Sequence, residues 1–221
     1  MSFNDHWALK LLGIIAVCFV IQSIFPGFTD LFILKNTEVF SRPWILITSI
    51  FLHSGLLHIL LNGFALLIFG SILEEIIGSK RFLILYFLGG IIANIVFLLV
   101  LPILSLLGMP SSGNALGASG AIFAALGALT VLRPTMTVWV SYMPMPMWIA
   151  AIVWAGQDLL GVFIPDNVAN FAHLGGLFFG IIGGFHLRTR RKEKNYPKKK
   201  KDDLSLSEEE LDKWERSMFR T

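Results

Sequence analysis

The sequence predicts an all-α membrane protein, a six-transmembrane-helix bundle, on three observations. Hydrophobic residues make up 55% of the 221 residues, charged residues only 15%, and mean hydropathy is +0.70. Several apolar runs reach the roughly 20 residues that a helix needs to cross a hydrocarbon core about 30 Å thick. The runs are continuous in Leu, Ile, Phe, Ala and Gly instead of alternating, which excludes a β-barrel and leaves helices that satisfy their own backbone groups in lipid.

Six spans follow, at residues 7–25, 55–74, 82–104, 115–132, 144–163 and 169–187, each bounded by charge, Gly, Pro or Asn. Residues 1–6 lack the basic region and small-residue cleavage site of a secretory signal, so span one is expected to be retained; its lone Cys18 has no internal disulfide partner. The first loop, residues 26–54, is long for a connector, and its Pro43-Trp44-Ile45-Leu46-Ile47 portion is apolar but too short to span. It is expected to lie in the outer interface, with His53 as a structural residue at that boundary. Span two carries His58 and Asn62, whose i, i+4 spacing puts them on one helix face.

Span four contains Gly117-Ala118-Ser119-Gly120 inside an uninterrupted apolar stretch from Ala115 to Leu132. Its density of Gly and Ala lets other helices approach closely, and span six answers with Gly176, Gly180 and Gly184 at four-residue spacing. A contact between these two spans would bring His173 against Ser119. Span five follows the Met143-Pro144-Met145-Pro146-Met147 run.

Basic residues set the orientation. Up to Leu187 there are six Lys or Arg; Lys10, Lys80, Arg81 and Arg133 fall on one side, and twelve more follow Leu187. Both termini are therefore expected in the cytoplasm, in a multi-pass protein of the cell membrane. Lys35 and Arg42 lie on the outer side, partly balanced by Asp30 and Glu38.

Helix rise then converts sequence distance into depth. Counting from Arg133 puts Ser119 about 21 Å above the inner face; counting from Arg188 puts His173 at about 22 Å. Counting from Glu75 puts Asn62 at about 20 Å and His58 at about 25 Å. Four polar residues from three helices thus meet in the outer half of the membrane. Each alone has a plainer reading: a serine among Gly and Ala is a packing residue, and an isolated intramembrane His or Asn pins helices by hydrogen bonds. Their common depth favours one polar site.

Together these residues resemble the rhomboid family of intramembrane serine proteases. The resemblance rests on Gly117 to Gly120, on Ala172-His173-Leu174-Gly175-Gly176 continuing to Gly180, on His53-Ser54-Gly55-Leu56-Leu57-His58-Ile59-Leu60-Leu61-Asn62, and on Glu74 followed by Gly78. It covers about residues 7–187. Phe123 stands one turn after Ser119 where many relatives carry Tyr, and the Trp-Arg pair often found in the first loop is absent as such, with Arg42-Pro43-Trp44 nearby. The resemblance implies a rhomboid-like catalytic membrane domain over 1–187; the basic cytoplasmic tail over 188–221 has no counterpart in it and is read from its own residues.

What the residues can do chemically agrees with that. Serine is a weak nucleophile unless a base takes its proton, so Ser119 and His173 would form a dyad. The Ser119 amide, Asn62 and His58 are candidate oxyanion donors. Gly117, Gly120, Phe123, Gly176 and Gly180 would pack around them. No Asp or Glu lies at this depth in spans two, four or six; the family needs none, and packing is left to orient the imidazole. Expected partners are transmembrane helices of other proteins, cut near the outer side where Gly, Ala, Ser or Pro lets them unwind, and membrane lipids. The family suggests span five as the mobile side of substrate access. No cofactor is expected, and no metal, since no acidic or Cys ligand accompanies the histidines.

Two other classes compete: a catalytically idle member of the same fold that binds membrane clients, and a small transporter whose pathway the polar groups line. The tail joins a basic cluster to a Ser207/Glu210 capping box and an apolar pattern at Leu211, Trp214 and Met218, which predicts a short amphipathic helix. Because that cluster adjoins a membrane span, topology anchoring or lipid headgroups are favoured and nucleic acid is not.

Overall fold

Among the described residues, three helices are long and apolar enough to cross a membrane: α1 (Trp7–Ile24), the rod Leu56–Ile77, and α6 (Ser79–Leu106). The computed structural model describes residues 6–108, 113–162 and 170–195. Between α1 and the rod come the short α2 (Phe28–Phe32), strand β1 (Leu34–Lys35), α3 (Ile45–Thr48) and a 3-10 turn at Ser49–Phe51. The rod is α4 (Leu56–Ala65), a π-helical turn at Leu66–Gly70, and α5 (Ser71–Ile77). After α6 follow β2 (Asn114–Ala115), α7 (Ser119–Leu132), the hairpin β3 (Thr137–Val140) and β4 (Met143–Pro146), α8 (Met147–Gly161) and α9 (Asn170–Asn195). The chain divides into two units, Met1–Leu187 and Arg188–Thr221, and the amphipathic helix expected in the second lies outside the described residues.

Helix α1 starts on a carboxyl group from α5. Glu74 Oε1 accepts the Trp7 amide and Oε2 the Ala8 amide, both at 2.9 Å, with Glu74 itself only 2% exposed. First-turn amides have no intrahelical acceptor, and a carboxyl group there also meets the positive end of the helix dipole. Glu74→Ala strands both donors in an apolar setting, so we expect a loss of about 1–3 kcal/mol of stability. Thermal unfolding in detergent measures it, with Glu75→Ala, at an exposed neighbour, as the near-neutral control.

Two helix starts are displaced from the sequence expectation for a backbone reason, and the last helix runs on past the expected residue 187 to Asn195. Span five was expected from residue 144, but residues 143–146 form β4, because Pro144 and Pro146 lack amide donors and hold their predecessors extended. Thr137 faces Pro146 and Val140 faces Met143 across the hairpin; Ser141 and Tyr142 at its tip have φ of 48° and 68°. Span four was expected from Ala115, but Ala115 pairs with Leu34 of β1, Gly117 takes φ +124°, and the helix begins only at Ser119. The GxSG tetrapeptide is thus a helix entrance and not a mid-helix stretch.

The first loop does more than sit at an interface. Asn94 of α6 donates to the Leu46 carbonyl and to Ser49 Oγ, and the Ser49 carbonyl accepts the Gly117 amide at 2.9 Å. The loop therefore fixes the chain just before Ser119. Its charges pair internally: Lys35 donates to Asp30 and Glu38, and Arg42 meets Glu38. The Lys35 hydrogen bond and charge hold the exposed Asp30 carboxyl below its ordinary value.

Helices α7 and α9 touch backbone to backbone. A Cβ on Gly176 would lie 2.1 Å from the Gly120 carbonyl oxygen, one on Gly180 2.0 Å from that of Ala124, and one on Gly127 2.2 Å from that of Leu177. No side chain fits at any of the three, so glycine sets the helix separation.

Candidate active site

Ser119 is the first residue of α7, and His173 lies in the first turn of α9. The close glycine seam between these helices brings His173 Nε2 to 2.8 Å from Ser119 Oγ. Phe123, one turn along α7, stacks on the imidazole with ring centroids 4.4 Å apart and planes 6° from parallel. That stacking restrains the ring's tilt while leaving both nitrogens in its plane.

The other imidazole nitrogen has a partner that lies outside spans two, four and six. Asp158 Oδ1, on α8, is 2.9 Å from His173 Nδ1. The expectation that packing alone orients His173 is corrected by this contact. A sequence signal was present: Asp158 is the one acidic residue in the apolar run from 144 to 163. An ionisable residue inside a span costs roughly 2.5–3.5 kcal/mol on insertion scales, so it asks for a partner. Twelve residues from Pro146 place it about 18 Å along α8, close to the roughly 21 Å that separates Ser119 from Arg133 along α7.

His58 and Asn62 come from α4 and face the same cavity as Ser119 and His173, a space of about 1040 Å³. The Ser54 amide donates to His58 Nδ1 at 3.3 Å, with Ser54 Oγ 3.0 Å from the same nitrogen. Since Nδ1 accepts, the neutral ring carries its hydrogen on Nε2. That nitrogen lies against Gly117, where a Cβ would come within 2.9 Å of it and 3.7 Å of Ser119 Oγ. Asn62 Nδ2 donates one hydrogen to the His58 carbonyl at 3.1 Å and has a second to give. His53, expected at the outer boundary, is 2% exposed and packs edge-on against His58, with its backbone held by the Gln22 side chain.

The helix entrance adds a further element. Because α7 begins at Ser119, its first amides have no intrahelical acceptors and its positive dipole end points at the site. A hydroxyl, an imidazole with a carboxyl group behind it, and converging donors thus come together at one cavity. The cavity also has an apolar side, built by Leu57, Leu61 and Phe69 of the rod and Trp154 of α8, where Phe69 and Trp154 meet edge-on at 5.8 Å. Among the described residues no group of three His, Cys, Asp or Glu is placed to hold a metal ion.

Comparison with known proteins assigns the chain to a family. The family model for the rhomboid domain matches residues 41–190. The chain belongs to the rhomboid family. It is 33% identical over 156 residues to the putative rhomboid protease YdcA of Bacillus subtilis (strain 168), covering 69% of this chain and 71% of that one. It is 34% identical over 150 residues to rhomboid protease GluP of the same organism, covering 64% of this chain and 25% of that one. RHOMBOID-like protein 6, mitochondrial, of Arabidopsis thaliana is 32% identical over 147 residues, covering 66% of this chain and 44% of that one. The chain thus spans less than half the length of two of these three relatives. Rhomboid membership makes this an integral membrane protein of a protease-containing family. Relatives with mitochondrial names mean that membership does not select the cell membrane.

Proposed function

We propose that this chain is an intramembrane serine endopeptidase that cuts transmembrane segments of other membrane proteins near the outer side of the bilayer. The observation that carries the reading is the 2.8 Å contact between Ser119 Oγ and His173 Nε2 inside a cavity with converging donors. Ser119 Oγ attacks the scissile carbonyl carbon as its proton passes to His173 Nε2, and the carbonyl π pair moves onto oxygen. The Ser119 amide, His58 Nε2–H and Asn62 Nδ2–H receive that oxyanion. Collapse breaks the C–N bond, His173 hands its proton to the departing amine, and water repeats the sequence to free Ser119.

Six membrane crossings, both termini in the cytoplasm and residence in the cell membrane complete the proposal, supported by the placement of Lys and Arg. The domain division at about residue 187 belongs to it too, with the tail as a topology anchor. The substrate presents an unwound, small-residue stretch, because a peptide bond inside an intact helix is not accessible to attack; no cofactor takes part.

The test uses a reporter whose transmembrane helix carries Gly and Pro near its outer end, reconstituted with the full chain. Wild type is expected to cut it there and to be labelled at Ser119 by a serine-directed phosphonate. Cleavage that survives Ser119→Ala overturns the proposal. A folded wild type that neither cuts nor takes the label identifies the idle, client-binding alternative.

A further inference from the structure

We infer that Gln22, on α1, is a positioning residue for His58: its carboxamide clasps the backbone of His53, which fixes Ser54 and through it the His58 ring. The inference rests on the reading of Ser119 as nucleophile and of His58 Nε2–H as an oxyanion donor. Gln22 Oε1 accepts the His53 amide at 3.0 Å, and Gln22 Nε2 donates to the His53 carbonyl at 3.3 Å and to Thr29 Oγ1 at 2.9 Å. The oxygen and both amide hydrogens of one side chain are thus in use. Gln22 pairs with His53 as a neighbouring strand would, and Thr29 of α2 holds the carboxamide from its other side.

The need follows from the burial of this segment. His53 is 2% exposed, so its amide and carbonyl depend on a protein partner. The buried residues of α1 are Ala8, Leu11 and Ile15, all in its first half, and its far end reaches the loop through the Gln22 clasp. One residue on, the Ser54 amide donates to His58 Nδ1 at 3.3 Å, with Ser54 Oγ 3.0 Å from the same nitrogen. An occupied Nδ1 lone pair keeps the neutral ring's hydrogen on Nε2, the nitrogen that lies against Gly117. Without the clasp the backbone at 53–54 turns to satisfy its own polar groups, Ser54 leaves Nδ1, and the opposite tautomer becomes competitive. That tautomer presents an Nε2 lone pair to the oxyanion and withdraws a donor. Gln22 is not among the residues lining the cavity, so it acts only through His53 and Ser54.

The experiment compares Gln22→Met with wild type in the full chain, reading kcat and KM on the reporter and the 15N spectrum of histidine-labelled protein, with His58 assigned by its loss in His58→Gln. Methionine keeps the length of the side chain and removes every hydrogen bond. We expect kcat to fall by about 30-fold with KM within a few-fold, because a displaced donor fails the transition state more than the bound substrate. Neutral His58 is expected to carry its hydrogen on Nε2 in wild type and to divide between the two nitrogens in Gln22→Met. Ser23→Ala is the control on the same turn: its hydroxyl only returns to the Phe19 carbonyl of its own helix, and kcat should stay near wild type. A folded Gln22→Met with kcat within about threefold of wild type overturns the inference, as does a lower kcat with the His58 spectrum unchanged. If Gln22→Met fails to fold, a wild-type spectrum with the hydrogen on Nδ1 of His58 overturns it instead, and one with the hydrogen on Nε2 supports it. Each of these results leaves the serine protease reading standing, since that reading fails only through cleavage by Ser119→Ala or a wild type without activity.

Discussion

Removing His173 from a protein that already lacks Ser119 is expected to change nothing further. Each of Ser119→Ala and His173→Ala should lower kcat by about 10⁶-fold, and the double variant should be no worse than either, because residues that act as one unit fail together. The 2.8 Å contact is the physical basis: without the imidazole the hydroxyl keeps its proton, and without the hydroxyl the imidazole has no proton to take. Residual turnover would come from the donors on α4 and at the entrance of α7, which still polarise a bound carbonyl. Single-turnover cleavage of the reporter by the three variants measures this, alongside wild-type-like unfolding curves. Single losses that multiply in the double variant would show that the two side chains act independently, and the dyad would be abandoned.

What the sequence made legible was depth and face. His58 and Asn62 at i, i+4, and Ser119 and His173 at matched distances from Arg133 and Arg188, do line one cavity, because rise per residue is the same in every helix. The small residues of α7 and the four-residue glycine spacing of α9 also do meet, since only glycine permits that approach. Illegible were the features made by backbone pairing between distant segments. Ala115 and Gly117 read as helix by hydropathy, yet Leu34 and Ser49, some 70 to 80 residues earlier, hold them in an extended approach. Asp158 was visible as an oddity in an apolar run, but its role depends on which way α8 turns, and the chain between α8 and His173 does not announce that. The hairpin was signalled by two prolines spaced one residue apart, a pattern that hydropathy alone merges into the following helix.

The seam between α7 and α9 supplies the second large effect. Gly176→Ala would put a methyl group 2.1 Å from the Gly120 carbonyl oxygen and 3.0 Å from its carbon, both of them backbone atoms with no rotamer to yield. The two helices must part by about 1 Å, and a misplacement of that size at the reacting groups costs on the order of 100-fold in turnover. Gly176 lies one turn beyond His173 and meets the residue after Ser119, so the separation opens at the Ser119–His173 contact and not at a remote point. Gly183→Ala is the control on the same helix: its methyl meets only the Leu85 Cδ1 at 3.3 Å, a side-chain end that can move. We expect Gly183→Ala to keep kcat near wild type and Gly176→Ala to lose at least 100-fold in kcat and in phosphonate labelling, with binding of the reporter little changed. Equal activity in the two variants would mean that the helices slide to restore the contact, and glycine at 176 would then matter for folding alone. The geometry opposes that outcome, because Gly180 and Gly127 lock the same seam one turn further down and leave α9 no direction in which to slip.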